Sequence, residues 1–319
     1  MKITTIAALV AAICAAPAVA ADNYPNKPIR MLVGFAPGGG TDTTARPIAQ
    51  KMSELMGQQV IVDNRPGAAG NIATEINARA PGDGYTILMA TIASLAINPS
   101  LYGNLPFDPE KDLAPVIQAV DSTNILSLHP SVPANSVKEL IALAKQKPLN
   151  FGSSGVGGTG HLAGELFNVM AGTQLSHVPY KGGGPAMIDL VAGNIQIVFA
   201  TAASAVPQIK SGKIKGLAVT TMKRSGLMPE LPTISEAGLK GFDANNWYGV
   251  VVPARTPKPI ITRLNADIGK ILAMPDIKQF LFGQGLDVAP GTPEAFGAYI
   301  KSERAKWAKV VRASGAKPN

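Results

Sequence analysis

The sequence predicts an α/β protein with two lobes, each built on a mostly parallel sheet flanked by helices. Three observations support this prediction. The chain has 319 residues, which is enough for about two domains. Short apolar runs typical of buried strands alternate with segments that carry apolar residues at helical spacing. This alternation covers residues 29–90 and starts again after residue 126, so two α/β units follow each other along the chain.

The composition is that of a globular protein. Hydrophobic residues make up 46% of the chain, charged residues make up 16%, and no repeat of fixed period is visible. These values argue against a coiled coil, a collagen-like rod, a disulfide miniprotein and a polytopic membrane protein. The net charge of +8 comes from scattered lysines, without an arginine run interleaved with aromatic residues. We therefore do not expect nucleic acid as a partner.

The N-terminal segment has the pattern of a secretory signal peptide. Lys2 supplies a positive charge, an apolar run follows over residues 6–16, and Ala-Val-Ala at residues 18–20 forms a cleavage site. A short membrane anchor is the alternative, but the apolar run is too short to span a bilayer. Cys14, the one cysteine, leaves with the signal, so the mature chain has no disulfide, zinc thiolate or cysteine nucleophile. We expect export to an oxidising compartment.

The first unit has the order strand, glycine-rich turn, helix, strand, helix, strand. The turn has the sequence Ala-Pro-Gly-Gly-Gly-Thr-Asp and covers residues 36–42. This order is typical of a parallel sheet with helices on its faces. The predicted strands are residues 29–35, 59–62 and 86–90, and the predicted helices are residues 43–56 and 71–80.

The second unit repeats this organisation. Its first helix has a predicted capping box, with Ser136 as N-cap and Glu139 three residues later. Two further glycine-rich turns lie at residues 154–160 and 180–185. The predicted strands are residues 126–128, 150–153, 176–178, 196–199 and 214–219, and the predicted helices are residues 136–146, 161–170, 186–192 and 205–210.

The end of the chain returns to the first lobe. Prolines break up the segment after the second unit, which holds a strand at residues 247–252, and helices follow at residues 260–274, 277–282 and 293–313. We expect a signal peptide at residues 1–20, a first lobe of residues 22–121 and 243–319, and a second lobe of residues 122–242. The crossings, near residues 113–122 and 241–252, would form a hinge that can close around a ligand.

Two of the glycine-rich turns form the candidate ligand site. In an open parallel sheet, ligands bind beyond the carboxyl ends of the strands, where these turns lie. Consecutive glycines let backbone N–H groups point to a common centre, and each turn leads into a helix N terminus that favours an anion. A carboxylate suits this arrangement, with hydroxyl groups as further donors. The candidate residues are Pro37, Gly39, Gly40, Thr41 and Asp42 in the first turn and Ser153, Ser154, Gly157, Gly158 and Thr159 in the second.

Each candidate also has a purely structural interpretation. The turns could serve only to join strand to helix. Asp42 could receive a polar group of the ligand, or it could only cap its helix. Lys181 in the third turn could pair with a second carboxylate or extend into solvent. His161 could face the cleft, or it could only cap or pack its helix.

Enzyme and cofactor motifs are incomplete. Residues 155–160 match G-x-G-x-x-G between a strand and a helix, but no ribose-binding acid follows at the required distance. The sequence has no P-loop, no nucleophile elbow and no H-E-x-x-H motif. With three histidines and no mature cysteine, it offers no trio of acid, base and nucleophile. We therefore predict a protein without catalytic activity, metal or cofactor.

Several segments together resemble the Bug family, the periplasmic solute receptors of tripartite tricarboxylate transport systems. The resemblance covers essentially the whole mature chain, with the motifs in the same order and spacing. The matching segments are YPNKPIR (residues 24–30), FAPGGGTD (35–42), VDNRPGAAG (62–70), SSGVGGTGHLAGELF (153–167), HVPYKGGGPA (177–186), LPTISEAG (231–238) and WYGVVVPARTP (247–257).

The resemblance implies a periplasmic receptor with the Venus-flytrap fold of the type II periplasmic binding class. It implies that a small organic carboxylate is held between the lobes, partly through waters, by residues 37–42 and 153–159. The partner would be the membrane permease subunits of the transporter, and we expect a monomer. Alternatives are an orphan receptor that feeds a signalling protein, or a periplasmic hydrolase or isomerase on the same lobes.

One departure from the family pattern affects the far end of the ligand. In the family, the second-lobe strand usually ends in an acidic residue, whereas this chain has Phe199, Ala200 and Thr201. The resemblance then makes Lys181 and Thr201 the candidates for contact with the distal end of the ligand. Because this chain lacks that acidic residue, a ligand that carries an amino group is less expected.

Overall fold

The computed structural model describes residues 24–180, 182–315 and 317. The predicted signal peptide therefore lies outside the described residues. No helix within these ranges is both long enough and apolar enough to cross a membrane. The strands are β1 (Ile29–Val33), β2 (Val60–Asn64), β3 (Thr86–Thr91), β4 (Leu113–Ser122), β5 (Asn124–Leu128), β6 (Asn150–Ser153), β7 (Ser176–Pro179), β8 (Ile197–Thr201), β9 (Lys215–Val219), β10 (Asn246–Pro253) and β11 (Leu286–Val288). The helices are α1 (Gly40–Met56), α2 (Asn71–Arg79), α3 (Asn98–Leu101), α4 (Val137–Gln146), α5 (Thr159–Ala171), α6 (Gly183–Ala192), α7 (Ala202–Lys210), α8 (Lys258–Ala273), α9 (Pro275–Gly283) and α10 (Pro293–Ser314).

The strands form two sheets, and each sheet with its flanking helices is one lobe. The six-stranded sheet of the first lobe has the order β11-β4-β10-β3-β1-β2, and the five-stranded sheet of the second has the order β7-β6-β8-β5-β9. Helix α1 buries Ala45, Ile48 and Met52 in the core of the first lobe. In the second lobe, α6 buries Ala186 and Leu190 in the same manner. The two-lobed α/β fold predicted from the sequence is therefore present.

Each sheet is parallel in one part and antiparallel in the other. β1 is parallel to β2 and β3, and β6 is parallel to β7 and β8. By contrast, β10 is antiparallel to β3 and β4, and β5 is antiparallel to β8 and β9. The parallel arrangement thus holds for the strands that precede the glycine-rich turns. In the first sheet, β4 leads out of the lobe and its neighbour β10 leads back into it, and these two strands are antiparallel.

The chain passes between the lobes at two neighbouring positions. β4 ends at Ser122 in the first sheet, β5 begins at Asn124 in the second, and Asn246 at the start of β10 pairs with Ser122. The passages are linked because Thr220 N donates to Asn124 O and Ala244 N donates to Thr220 O, both at 2.9 Å. Two adjacent connections of this kind form a hinge. The domain boundaries at residues 121/122 and 242/243 stay a prediction.

The helices of the two main turns begin inside the glycine-rich segments. α1 begins at Gly40 and α5 at Thr159, ahead of the predicted starts at residues 43 and 161. Glycine and threonine are weak helix formers, so their sequence predicts a loop. The first helical turn tolerates them because its N–H groups need no partner within the helix. The predicted cap of α4 is confirmed, since Ser136 Oγ accepts from Glu139 N at 3.2 Å.

The C-terminal helix α10 packs against both lobes. Its buried Phe296, Trp307 and Val311 share one apolar core with Leu88 of β3 and Phe151 of β6. α10 also contacts α5 of the second lobe directly. The helix therefore covers the first sheet and spans the hinge beside it.

Candidate functional site

The glycine-rich turns of the two lobes lie on edges that face each other. The turns after β1, β2 and β3 share the carboxyl edge of the first sheet, and those after β6, β7 and β8 share that of the second. Gly157 of the second lobe contacts the first lobe at Ala69, Asn98 and Leu101. A Cβ added to Gly157 would lie 3.0 Å from Leu101 Cδ2 and 3.4 Å from Asn98 Oδ1. The second-lobe turn thus touches the opposite lobe.

The first turn is held by the carboxylate of Asp42. Gly38 N donates to Asp42 Oδ2 at 2.9 Å, Arg46 donates to both oxygens at 2.8 Å, and Asn64 Nδ2 donates to Oδ1 at 2.9 Å. Burial acts to raise the pKa of Asp42, but hydrogen bonds from Arg46, Gly38 and Asn64 outweigh it and lower that pKa. The carboxylate is ionised and occupied by protein groups, which favours the structural interpretation of Asp42.

The second turn is held in the same way by His161. Gly157 N donates to His161 Nδ1 at 3.2 Å, so the acceptor lies four residues after the glycine, as Asp42 does after Gly38. Gly38 and Gly157 have φ values of +83° and +79°, a region that glycine adopts without strain. In both turns the next glycine is extended and caps the helix. The two turns therefore share one backbone conformation and differ in their acceptor.

His161 belongs to a buried polar cluster in the second lobe. Its ring lies against His177 with centroids 4.1 Å apart, and His177 Nε2 is 2.7 Å from Ser153 Oγ. Burial, with His177 as a further cause, lowers the pKa of His161 to about 3, and burial lowers the pKa of His177 to about 4. Both rings are therefore neutral at pH 7. Because His161 Nδ1 accepts the Gly157 amide, the proton of that ring is on Nε2.

The same cluster does not form a metal site. Among the residues that the structure describes, no group of three or more histidine, cysteine or acidic side chains is arranged to hold a metal ion. His161 Nε2 faces Glu165 Oε1 at 3.7 Å, one helical turn away. Burial raises the pKa of Glu165, which weakens it as an anionic ligand. The geometry of this cluster is suited to holding the second glycine-rich turn in place.

Backbone amides at the two helix N termini are the donors best suited to an anion. The backbone bonds from Thr43 N to Gly39 O in α1 and from Leu162 N to Gly158 O in α5 open the two helical ladders. The amides just before them therefore lack an intrahelical acceptor. Residues 36–39 are exposed, and the helix dipoles add positive potential at both N termini. The two helices thus offer anion-binding groups without a basic side chain.

The hydroxyl groups predicted as ligand donors fall into two sets. Thr41, Ser153 and Thr159 are hydrogen-bonded to other side chains of the protein. Ser154 is exposed on the second turn. The first three therefore help to fix the turns, and contact of any of these hydroxyl groups with a ligand stays a prediction.

Tyr248 of β10 ties the first turn to the hinge. Its buried hydroxyl accepts from Asn246 Nδ2 at 3.0 Å and is hydrogen-bonded to Thr41 and Ser122. A Cβ on Gly40 would lie 2.6 Å from that hydroxyl, so a side chain at position 40 would displace the tyrosine. Burial is the main cause that raises the pKa of Tyr248. The N terminus of α1 is therefore fastened to the two strands that connect the lobes.

Asn124 has the matching position in the second lobe. Its Nδ2 donates to Thr159 Oγ1 at 3.2 Å, which ties the N terminus of α5 to the first residue beyond the hinge. The side-chain oxygens of Asn124 and Asn246 are buried without a hydrogen-bond partner among the described residues. A buried polar atom of this kind is a favourable contact for water or a polar ligand group.

The remaining predicted residues lie around these turns. Pro37 and Gly39 are exposed on the first turn, and Gly158 N donates to Gly155 O at 3.1 Å within the second. Thr201 ends β8 beside the hinge, with its Oγ1 3.1 Å from Ser204 Oγ. The structure thus brings the two turns and the end of β8 to one region.

The third glycine-rich turn lies next to the second. Tyr180 N donates to Ser153 O at 3.1 Å, and Gly182 N donates to Ser154 O at 3.2 Å. Lys181 lies outside the described residues, so its contact with a ligand stays a prediction.

Sequence reasoning missed the first-lobe residues that meet the second turn. Ala68 and Ala69 have φ values of +47° and +52°, a left-handed conformation that is costly for residues other than glycine. Ala69 O accepts from Asn98 Nδ2 at 3.1 Å. The available signal was Pro-Gly-Ala-Ala-Gly at residues 66–70, a turn that follows β2 at the same sheet edge. The two alanines in this turn give no sign in the sequence that the backbone is left-handed there.

Comparison of this chain with known proteins agrees with the arrangement of the turns. A model of the tripartite tricarboxylate transporter family receptor matches residues 44–316. The chain belongs to this family. Protein BugT of Bordetella pertussis (strain Tohama I) is 36% identical over 302 residues, covering 94% of this chain and 93% of BugT. The resemblance to Bug proteins is thereby confirmed.

Solved structures of other receptors have the same fold. R. palustris Rpa4515, solved with adipate, is 38% identical with a TM-score of 0.86, covering 93% of this chain and 100% of that one. MatC from Rhodopseudomonas palustris, with bound malate, is 29% identical with a TM-score of 0.81, covering 90% and 100%. The predicted two-lobed class is confirmed, and this receptor family includes members that bind small carboxylates.

Proposed function

We propose that this protein is an extracytoplasmic receptor that binds a small organic carboxylate between its lobes and delivers it to a tripartite tricarboxylate-type membrane transporter. The observation that carries the proposal is the pair of helix N termini on facing edges of the two lobes. Each follows a glycine-rich turn held by an internal acceptor, Asp42 or His161. Backbone amides at such termini suit a carboxylate, because charge-assisted hydrogen bonds are stronger than neutral ones.

Ligand binding in this proposal closes the lobes. In the open receptor the carboxylate accepts hydrogen bonds from the amides of one lobe, directly or through water. Rotation about the hinge then brings the second set of amides to the same group. The ligand favours the closed state because that state alone offers both sets of donors. In this proposal, the contact of Gly157 with Ala69 and Asn98 is one of the contacts that the closed state makes.

A dicarboxylate is the ligand class that we favour. Relatives have been solved with adipate and with malate, which both carry two carboxylates. In this chain β8 ends in Phe199, Ala200 and Thr201, so an ammonium group would find no counter-charge from these residues. A ligand with two acids and no amino group fits both observations.

The proposal extends to location, partner and activity. The mature receptor acts in the periplasm as a monomer and passes its ligand to the permease subunits of the transporter. Neither a cofactor nor a catalytic step is part of the function. The first lobe comprises residues 22–121 and 243–319, and the second comprises residues 122–242.

Thermal unfolding with chosen ligands tests this function. Adipate and malate should raise the melting temperature, because a ligand at 100 times its dissociation constant stabilises a protein by about 2.7 kcal/mol. In calorimetry we expect a dissociation constant around micromolar, which corresponds to a favourable binding free energy of about 8 kcal/mol. Hexane-1,6-diol, which has the chain of adipate without its acids, should have no effect. A panel of mono- and dicarboxylates that gives no shift at millimolar concentration would refute the proposal, and chemical conversion of a bound ligand would indicate an enzyme.

A further inference from the structure

The two turns of the site use acceptors of different chemistry. In the first lobe the glycine amide bonds to Asp42, an ionised carboxylate that Arg46 and Asn64 also hold. In the second lobe the equivalent amide of Gly157 bonds to His161 Nδ1 at 3.2 Å. An imidazole accepts at Nδ1 only in one tautomer and in one orientation. The surroundings of His161 therefore decide whether the second turn keeps its shape.

The His161 ring is held by neighbours from three elements. His177 of β7 lies against it at 4.1 Å between centroids, and Phe151 of β6 lies nearly parallel at 6.5 Å with a 9° interplanar angle. Glu165 of the same helix faces Nε2 at 3.7 Å. The side chain is 5% exposed, so rotation of the ring would require the neighbouring residues to move. These contacts keep Nδ1 directed at the Gly157 amide.

His177 extends the same restraint to the start of the turn. Its Nε2 lies 2.7 Å from Ser153 Oγ, and that oxygen accepts from Gly155 N at 3.1 Å. The histidine pair therefore restrains the turn at two positions, near Gly155 and at Gly157. A turn with this many glycines has little conformational preference of its own, because glycine loses more backbone freedom on folding than any other residue.

The position of Gly157 matters to both lobes. It precedes the N terminus of α5, and it lies against Asn98 and Leu101 of the first lobe. A shift of Gly157 would therefore move the amides that face the ligand and would also disturb the contact between the lobes.

We propose that His161 is the positioning residue of the second-lobe turn, holding the Gly157 amide so that the turn meets both the ligand and the first lobe. This inference rests on the proposed function, because it concerns affinity for the ligand. His161 itself does not contact the ligand. Its role parallels that of Asp42 in the first turn, with a neutral ring in place of a carboxylate.

Two substitutions separate the acceptor from simple packing. His161→Asn keeps an acceptor oxygen near the position of Nδ1, whereas His161→Leu keeps apolar bulk without an acceptor. We expect His161→Asn to bind adipate within about threefold of the wild type and His161→Leu to bind at least about tenfold more weakly. His129→Leu, which removes a half-buried histidine outside the turn, is the matched control and should bind as the wild type does.

Nuclear magnetic resonance of the ligand-free protein tests the hydrogen bond independently of binding. A scalar coupling between the Gly157 amide nitrogen and His161 Nδ1 is expected in the wild type. If no carboxylate binds the wild type, the proposed function fails while the coupling still reports on the turn. Absence of the coupling, full affinity in His161→Leu, or equal loss in both variants would overturn the role of His161. Should His161→Leu fail to fold, a tenfold loss in the folded His161→Asn variant would overturn it as well.

Discussion

Gly157 is subject to two constraints that disfavour a side chain. Its φ of +79° is left-handed, where other L-residues are strained by roughly 1–2 kcal/mol. In addition, a Cβ would lie 3.0 Å from Leu101 Cδ2 of the opposite lobe. The glycine therefore serves the turn and the contact between the lobes at once.

Gly157→Ala should weaken ligand binding beyond its effect on stability. Overpacking at a close contact costs about 1–3 kcal/mol, and each 1.4 kcal/mol is a tenfold change in affinity, so we expect at least about a tenfold loss for adipate. Gly57→Ala is the matched control, because Gly57 has a φ of +68° and nothing within 4 Å of its added Cβ. Denaturation in urea should give similar losses of stability for both variants, and calorimetry should separate them. Equal affinities would contradict a role for Gly157 in closure.

At the scale of the elements, β10 links the hinge to the first glycine-rich turn. It returns the chain to the first lobe, pairs with β3 and β4, and carries the tyrosine that fastens α1. The buried hydroxyl of Tyr248 is hydrogen-bonded to Asn246, Thr41 and Ser122. The strand thereby couples the hinge to the first glycine-rich turn.

Tyr248→Phe should destabilise the protein markedly for a change of one atom. Removal of the hydroxyl leaves Asn246, Thr41 and Ser122 without a buried partner, and each such unsatisfied group costs about 1–3 kcal/mol. We therefore expect the free energy of unfolding to decrease by about 1–3 kcal/mol or more. Tyr85→Phe is the control, because the Tyr85 hydroxyl bonds to Asn26 in an exposed position and its loss should cost less than about 0.5 kcal/mol. Equal effects in urea denaturation would argue against the buried network.

At the scale of the whole molecule, the pair of His161 and His177 links stability to pH. The folded-state pKa values of about 3 for His161 and about 4 for His177 lie below the ordinary value of 6.5. Below pH 6.5 the unfolded chain therefore binds more protons than the folded protein, and stability decreases as the pH falls. Burial raises the pKa of Asp121, with Asp287 nearby as a further cause, so this group acts in the opposite direction.

The stability of the wild type should therefore decline between about pH 6.5 and pH 4. Each neutral histidine contributes up to about 1.4 kcal/mol per pH unit within that window. The double variant His161→Asn/His177→Gln should show a flatter profile in urea denaturation at a series of pH values. Identical slopes for the two proteins would show that the histidines are already protonated in the folded state.

Prediction from sequence succeeded where the governing interactions are local. The periodic apolar residues of α1 and the Ser136 N-cap of α4 lie within one or two helical turns, so a short segment contains all the information required. The start of α1 was placed too late because the propensities of Gly40 and Thr41 do not include their contacts with Tyr248. Tertiary contacts override weak local preference at such positions.

The sequence by itself determined the order of strands and helices, the position of the glycine-rich turns and, through its motifs, the receptor family. These are properties of neighbouring residues and of their spacing along the chain. Only the tertiary structure decided that Asp42 and His161 hold the two turns from within, that the turn after β2 meets Gly157, and that β10 lies antiparallel beside β4. The physical reason is that burial and hydrogen-bond partners come from segments far apart in the chain, which pack together only on folding.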